Sequence, residues 1–296
     1  MHPAPSVILF TVLSGLGFGL LAFLGLGLPV PAPGWAAFLH WGLGYGLAVG
    51  GLAASTFHLG HPERALKAFS QWQSSWLSRE AWASVVTLVL LAPAALSDWL
   101  GLGWPRLTGP LGAAMCIVTV FTTSMIYTQM KTVPRWNHWS TPVLFLSFAL
   151  AGGATLAGQA WTGLYAMIFL GCLMAWTFLD GETRFARRGQ TIGAATGLGS
   201  IGKVTVFEQP HTSPNYLMAE MIHIVARKHA AKLRPFALAL GCAIPALCLL
   251  AAALSTAASL PWFVLAAVSH GIGTAVQRWL FFAQAEHVVG LYYGKR

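Results

Sequence analysis

Residues 6–28 read SVILFTVLSGLGFGLLAFLGLGL, and this run from Ser6 to Leu28 contains no charged side chain. At about 1.5 Å of rise per residue, a helix of that length crosses the roughly 30 Å hydrocarbon layer of a bilayer. Nothing basic precedes the run and further apolar runs follow, so it reads as a retained first helix and not as a secretory signal. Working outward, the pattern recurs at Trp35–Phe57, Glu80–Leu100, Leu107–Met130, His138–Thr162, Gly163–Phe178, Pro235–Ala253 and Leu260–Phe282. The sixth of these eight, Gly163–Phe178, is the shortest and stops just before Leu179 and Asp180.

Only 8% of the 296 residues are charged and 56% are hydrophobic, whereas a soluble domain carries about 25% charged residues. Bilayer-spanning strands would alternate apolar and polar over roughly ten residues, and these runs do not alternate. The expected fold is therefore all-α: a polytopic membrane protein with about eight transmembrane helices and short interfacial helices. It forms a single membrane domain over 1–296, with a basic loop inserted at 180–233. Glycines at 15, 17, 19 and 25, and again at 42, 44, 46, 50 and 51, suit close helix contacts in lipid. Cys116, Cys172, Cys242 and Cys248 all fall inside expected spans and lack the close C-x-x-C spacing of an iron-sulfur ligand set.

With eight spans, both termini and the loops after the second, fourth and sixth lie on one side. That side collects Arg64, Lys67, Arg79, Lys131, Arg135, Arg184, Arg187, Arg188, Lys203, Arg227, Lys228, Lys232, Arg234, Lys295 and Arg296. The other side has Arg106, and Arg278 falls within the last span. Positive charge marks the cytoplasmic face, so the termini and large loops are expected in the cytoplasm. The net charge of +9 follows from this topology and needs no nucleic-acid partner.

Two loops are more than connectors. Between the second and third spans, His61–Trp72 places Leu66, Phe69 and Trp72 on one helical face, which predicts a short interfacial helix opening at Pro62. In the longer loop, Gly189, Gly193, Gly197, Gly199 and Gly202 predict irregular chain. A helix is expected to begin after Ser213 at Pro214, to show Leu217, Met221, Ile224 and the Lys228 stem on one face, and to redirect at Pro235 into the seventh span.

Polar residues collect at the basic ends of the spans. His58 closes the second span, where it either satisfies helix-end carbonyls or bonds a ligand oxygen and exchanges a proton near neutral pH. A quinone headgroup, whose carbonyls become hydroxyls on reduction, suits the second role. His40 shares its helix face but lies about 27 Å away along the axis, so the two cannot grip one haem, and no haem is expected. At the same level stand Arg79 and Glu80, Tyr127, Gln129 and Lys131, and Trp136 and His138. On the last span, His270, Thr274, Gln277 or Arg278, Phe281 and Gln284 form a stripe that must face other helices, either as a structural network or as a proton path or ligand wall.

These residues carry a resemblance. His58-Leu-Gly-His-Pro-Glu-Arg-Ala-Leu, then Ser78-Arg-Glu, Val133-Pro-Arg-Trp before Trp139-Ser-Thr-Pro, and the segment from His270-Gly-Ile-Gly to Arg278 with Phe281-Phe and Gly290 together resemble the dimethyl sulfoxide reductase membrane-anchor family. The resemblance implies an eight-helix, quinone-interacting subunit partnered by an iron-sulfur electron-transfer subunit and a molybdopterin catalytic subunit, in a bacterial inner membrane. It places the quinone-site histidine at His58, implied as the catalytic group, with Arg64 from the same motif as a positioning residue; Arg79 and Tyr127, standing at the same level of the membrane, are expected as supporting groups of the quinone site. The quinone is ubiquinone or menaquinone, and molybdopterin and iron-sulfur clusters belong to the partners. The inward charge bias and the long basic loop depart from the typical dimethyl sulfoxide reductase anchor and favour the cytoplasmic sulfite dehydrogenase branch, which delivers electrons into quinone. A quinol-oxidising anchor and, from a different class, a transporter or structural scaffold stand as the alternatives.

Overall fold

The computed structural model of the protein describes residues 1–57, 61–208, 211–213, 215–222, 227–255 and 259–294. Within them the regular structure is all helical and contains no strand. The helices are α1 (Pro5–Gly25), α2 (Trp35–Thr56), α3 (Trp76–Leu100), α4 (Gly109–Thr128), α5 (Ser140–Leu156), α6 (Ala160–Arg187), α7 (Ile192–Thr196), α8 (Arg227–Leu238), α9 (Ile244–Leu254) and α10 (Leu260–Ala283). Among the described residues, six helical stretches are long and apolar enough to cross a membrane: α1, α2, α3, α4, α6 and the run Lys228–Leu254 that joins α8 to α9. The 17 residues of α5 form a shorter apolar helix. The 24 residues of α10 carry the expected polar stripe, with His270, Thr274, Gln277, Arg278 and Gln284 all buried. The protein is a multi-pass all-α membrane protein, in which six spans meet the length and hydropathy a bilayer demands.

The short helix is α5 and not the sixth, which runs for 28 residues to Arg187. Sequence reading ended that span at its first charges, but a helix need not stop where the hydrocarbon does. Asp180 accepts from Arg184 Nε at 2.6 Å, one turn along, and also pairs with Arg187. Charge pairing on one helix face carries α6 past the apolar layer. The segment between the second and third spans forms a 3₁₀ helix, Pro62–Phe69, with Leu66 82% exposed, as an interfacial element requires. Of the helix expected after Ser213, the described part is a π turn at Leu217–Met221 followed by α8; Pro214 and Ile224 lie outside the described residues. The chain does not redirect at Pro235, which sits inside α8. The register changes later, in a π turn at Ala239–Ala243.

Helix α1 is the hub. It touches α2, α3, α4, α5 and α10, and glycine lets it come close. A Cβ at Gly17 would strike the backbone of Ala48 on α2, and one at Gly19 would strike Ala149 on α5. Two apolar cores result. One gathers α1 to α5 around Phe18, Leu21, Leu24 and Trp41, and the other gathers α5, α6, α9 and α10 around Met167, Leu170, Met174 and Leu249.

Candidate functional site

Arg64, Lys67 and Arg79 lie between the end of α2 and the first turn of α3, and three neighbouring environments form in this part of the fold. The first lies beside the 3₁₀ segment, where Arg64, His61, Lys67, Gln71, Ser74 and Ser75 line a cavity of about 530 Å³. Arg64 is exposed, so it presents a solvated cation there.

The second is an aromatic groove of about 550 Å³ whose walls include Phe69, Trp72, Trp82, Met115 and Thr122, with Arg79 as the charged residue in its lining. The Trp82 indole donates to Phe69 O at 3.0 Å and meets the Phe69 ring edge-on at 5.4 Å. That contact fastens the 3₁₀ segment to α3. Arg79 donates from Nε to Trp72 O at 3.0 Å and from Nη2 to Gln73 O at 2.7 Å, with its guanidinium 4.3 Å from the Trp76 ring. It therefore braces the turn between the 3₁₀ segment and α3 while lining the groove.

The third environment is buried. Tyr127 is 7% exposed and is boxed by Trp136, Phe281, Phe282 and Phe145, with ring centroids 5.3 to 5.7 Å away. Trp136 stacks on Phe281 at 5.1 Å and donates from its indole to Phe281 O at 2.9 Å. Arg278 places its guanidinium 3.7 Å from the Phe145 ring centre, an arrangement in which the ring face attracts the cation. Glu80 is 3% exposed and accepts from the Thr123 hydroxyl on α4. Thr123 sits beside Thr122 of the aromatic groove, so the buried carboxyl and the groove share one stretch of α4.

The structure thus divides the sequence-selected residues. Arg64 and Arg79 line different cavities, and Tyr127 lines neither. His58 lies outside the described residues, as do Lys295 and Arg296. His40 donates from Nδ1 to Ala36 O at 2.7 Å, within its own helix. His138 accepts at Nδ1 from Ser140 N at 3.2 Å, an end-of-helix role. Among the described residues no three His, Cys, Asp or Glu side chains gather as metal ligands would.

Sequence reasoning missed the knot where the α4–α5 connection meets α6 and α8. Arg184 donates to Asp180, to Arg135 O at 2.9 Å and to Ser140 Oγ at 2.9 Å, and Arg234 pairs with Glu182. Burial first, and the Arg234 charge second, push Arg135 down to about 10, so it remains a cation at neutral pH. The one local signal for this knot was the Asp180-Arg184 spacing of one helical turn; its other partners are distant in sequence.

The DMSO reductase anchor subunit (DmsC) family model matches residues 1–294. The chain is also similar to a sulfite dehydrogenase subunit from Allochromatium vinosum, at 29% identity covering 99% of each chain.

Proposed function

The chain belongs to the DMSO reductase anchor subunit family, and from that premise we propose that it is the quinone-reactive membrane anchor of a molybdoenzyme complex. The observation that carries the reading is the family match across residues 1–294, together with an aromatic groove at the basic end of α3 and α4. A quinone ring is flat, apolar on its faces and polar at its two carbonyls. Indole and phenyl walls suit the faces, and the Arg79 guanidinium, with N–H groups beyond the two it gives to Trp72 O and Gln73 O, supplies a donor for an oxygen. Lateral entry between α3 and α4 leaves an isoprenoid tail among lipid.

Reduction of a quinone takes up two electrons and two protons. Electrons arrive from an iron-sulfur partner docked on the basic loops, which received them from a molybdopterin catalytic partner. His58 is assigned from its sequence motif as the hydrogen-bonding and proton-exchanging group. Glu80, a buried carboxyl in a membrane helix with a named hydroxyl partner, is a second proton-handling group of the kind membrane helices retain for function. Arg64 serves the mouth of the site or the docking face, since it is exposed beside Lys67. Tyr127 supports the inner wall.

Similarity to a sulfite dehydrogenase subunit favours cytoplasmic sulfite oxidation as the electron source. The termini and the 180–233 loop then face the cytoplasm, within one membrane domain over 1–296. Co-purification of the chain with its partners tests this reading. The expected result is a complex that contains molybdenum and iron-sulfur centres and reduces a soluble quinone analogue with sulfite. A chain that assembles with neither partner and binds no quinone would refute it.

A further inference from the structure

Four buried polar atoms at the basic end of α10 lack a hydrogen-bond partner among the described residues: Arg135 Nε, Gln277 Oε1, and Arg278 Nε and Nη1. Gln277 is 3% exposed and Arg278 is 1% exposed. Leaving a buried polar atom unpaired costs about 1–3 kcal/mol; the Arg278 guanidinium lies over the Phe145 and Phe148 rings, so Arg135 Nε and Gln277 Oε1 are the pair that calls for a common partner. Arg135 and Gln277 both line one small cavity of about 30 Å³, with Ser140, Phe178, Phe281 and Gln284 among its other walls. A buried water requires on the order of 10–15 Å³ of such space and two to four polar neighbours, and this cavity provides both.

We propose that the cavity is a water site, in which a water accepts from Arg135 Nε–H and donates to Gln277 Oε1. The mixed polarity decides between water and a small anion. An anion would be drawn to Arg135 but would meet the lone pairs of Gln277 Oε1, whereas water has both a donor and an acceptor to offer. The water site stands on the unpaired atoms and the cavity alone and goes beyond the quinone reading.

Hydroxyl-radical footprinting of the assembled complex in lipid tests it, because radiolysis of a bound water oxidises adjacent side chains that bulk solvent cannot reach. Phe281 and Phe178 line the cavity at 8% and 7% exposure, while Phe23, at 9%, lines an apolar groove elsewhere. Phe281 and Phe178 are expected to oxidise faster than Phe23, and equal rates would overturn the proposal without recourse to any variant. Gln277→Met keeps the volume and removes the acceptor, and it is expected to abolish the excess labelling; persistence of the excess counts against the site. Arg135→Met gives the same readout from the donor side. Replacing chloride with gluconate is expected to change nothing, and labelling that depends on chloride would reassign the cavity to an anion.

Discussion

His270 Nδ1 donates a 2.7 Å hydrogen bond to the carbonyl of Gly241, the oxygen that Pro245, four residues on, has no N–H to bond. Ser269 Oγ donates to the adjacent Leu240 carbonyl at 2.8 Å. The π turn at Ala239–Ala243 and the proline thus release carbonyls that α10 satisfies, and the Gly273 backbone approaches Gly241 too closely to admit a Cβ. Neighbouring helices commonly repair broken ladders in this way inside a bilayer. His270→Ala is expected to lower stability by about 1–3 kcal/mol, since it strands the Gly241 carbonyl. In a Pro245→Ala background, residue 245 regains an N–H for that carbonyl, and the loss from His270→Ala should shrink by roughly 0.5–3 kcal/mol. Thermal unfolding of the four proteins in detergent measures the coupling; strictly additive losses would mean that the proline and the histidine act independently.

The glycines of the first two helices should separate into two kinds. Gly17 faces the Ala48 backbone, whereas Gly46 has open space where a side chain would go. Gly17→Ala is expected to destabilise the fold by about 1–3 kcal/mol through overpacking. Gly46→Ala should be neutral or gain up to about 1 kcal/mol from helix propensity. Melting temperatures of the two purified variants decide the matter, and equal effects would show that α1 and α2 are not held at the described separation.

Much of this fold could be read from uncharged runs such as Ser6–Leu28, because lipid leaves a long apolar segment few options other than helix. The site was less legible. Arg64 and Arg79 flank one loop in sequence, but the loop folds as a 3₁₀ helix and turns them toward separate cavities. The Thr123–Glu80 pair joins residues 43 apart, and one threonine among Thr119, Thr122 and Thr123 carries no mark that singles it out. Arg278 read only as a charge in the polar stripe of the last span; the packing of α5 against α10 is what surrounds it with Phe145 and Phe148.

The orientation proposed from the basic residues can be tested directly. Single cysteines placed at Lys203 and at Arg106, in a background free of the native cysteines, should label from opposite sides of sealed vesicles. Position 203 is expected to react from the cytoplasmic side. Reaction of position 203 from the periplasmic side would invert the topology and remove the case for a cytoplasmic catalytic complex.

The sharpest division between coupling and structure comes from His58 and Glu80. An imidazole at the basic end of the second helix can donate a hydrogen bond to a quinone carbonyl and pass on a proton as electrons arrive. His58→Gln keeps a donor but loses the acid-base chemistry, while His58→Ala loses both. Quinone-linked turnover is expected to fall by about 10²–10⁴-fold in His58→Ala, the range typical of a lost general acid or base, and by less in His58→Gln. Glu80→Gln keeps the side-chain shape and an acceptor for Thr123, so it should assemble normally and slow quinone-linked turnover without unfolding the helix. In each variant, oxidation of the catalytic partner's substrate with a water-soluble acceptor should survive, because the molybdopterin and iron-sulfur subunits are unaltered. That split is the critical readout, since an unfolded anchor would release its partners and quinone coupling would be lost together with co-purification. If assembled His58→Ala and Glu80→Gln complexes both reduced quinone at the unmodified rate, proton delivery would have to come from elsewhere on the basic face. His58 would then be left with satisfying the carbonyls at the end of its helix.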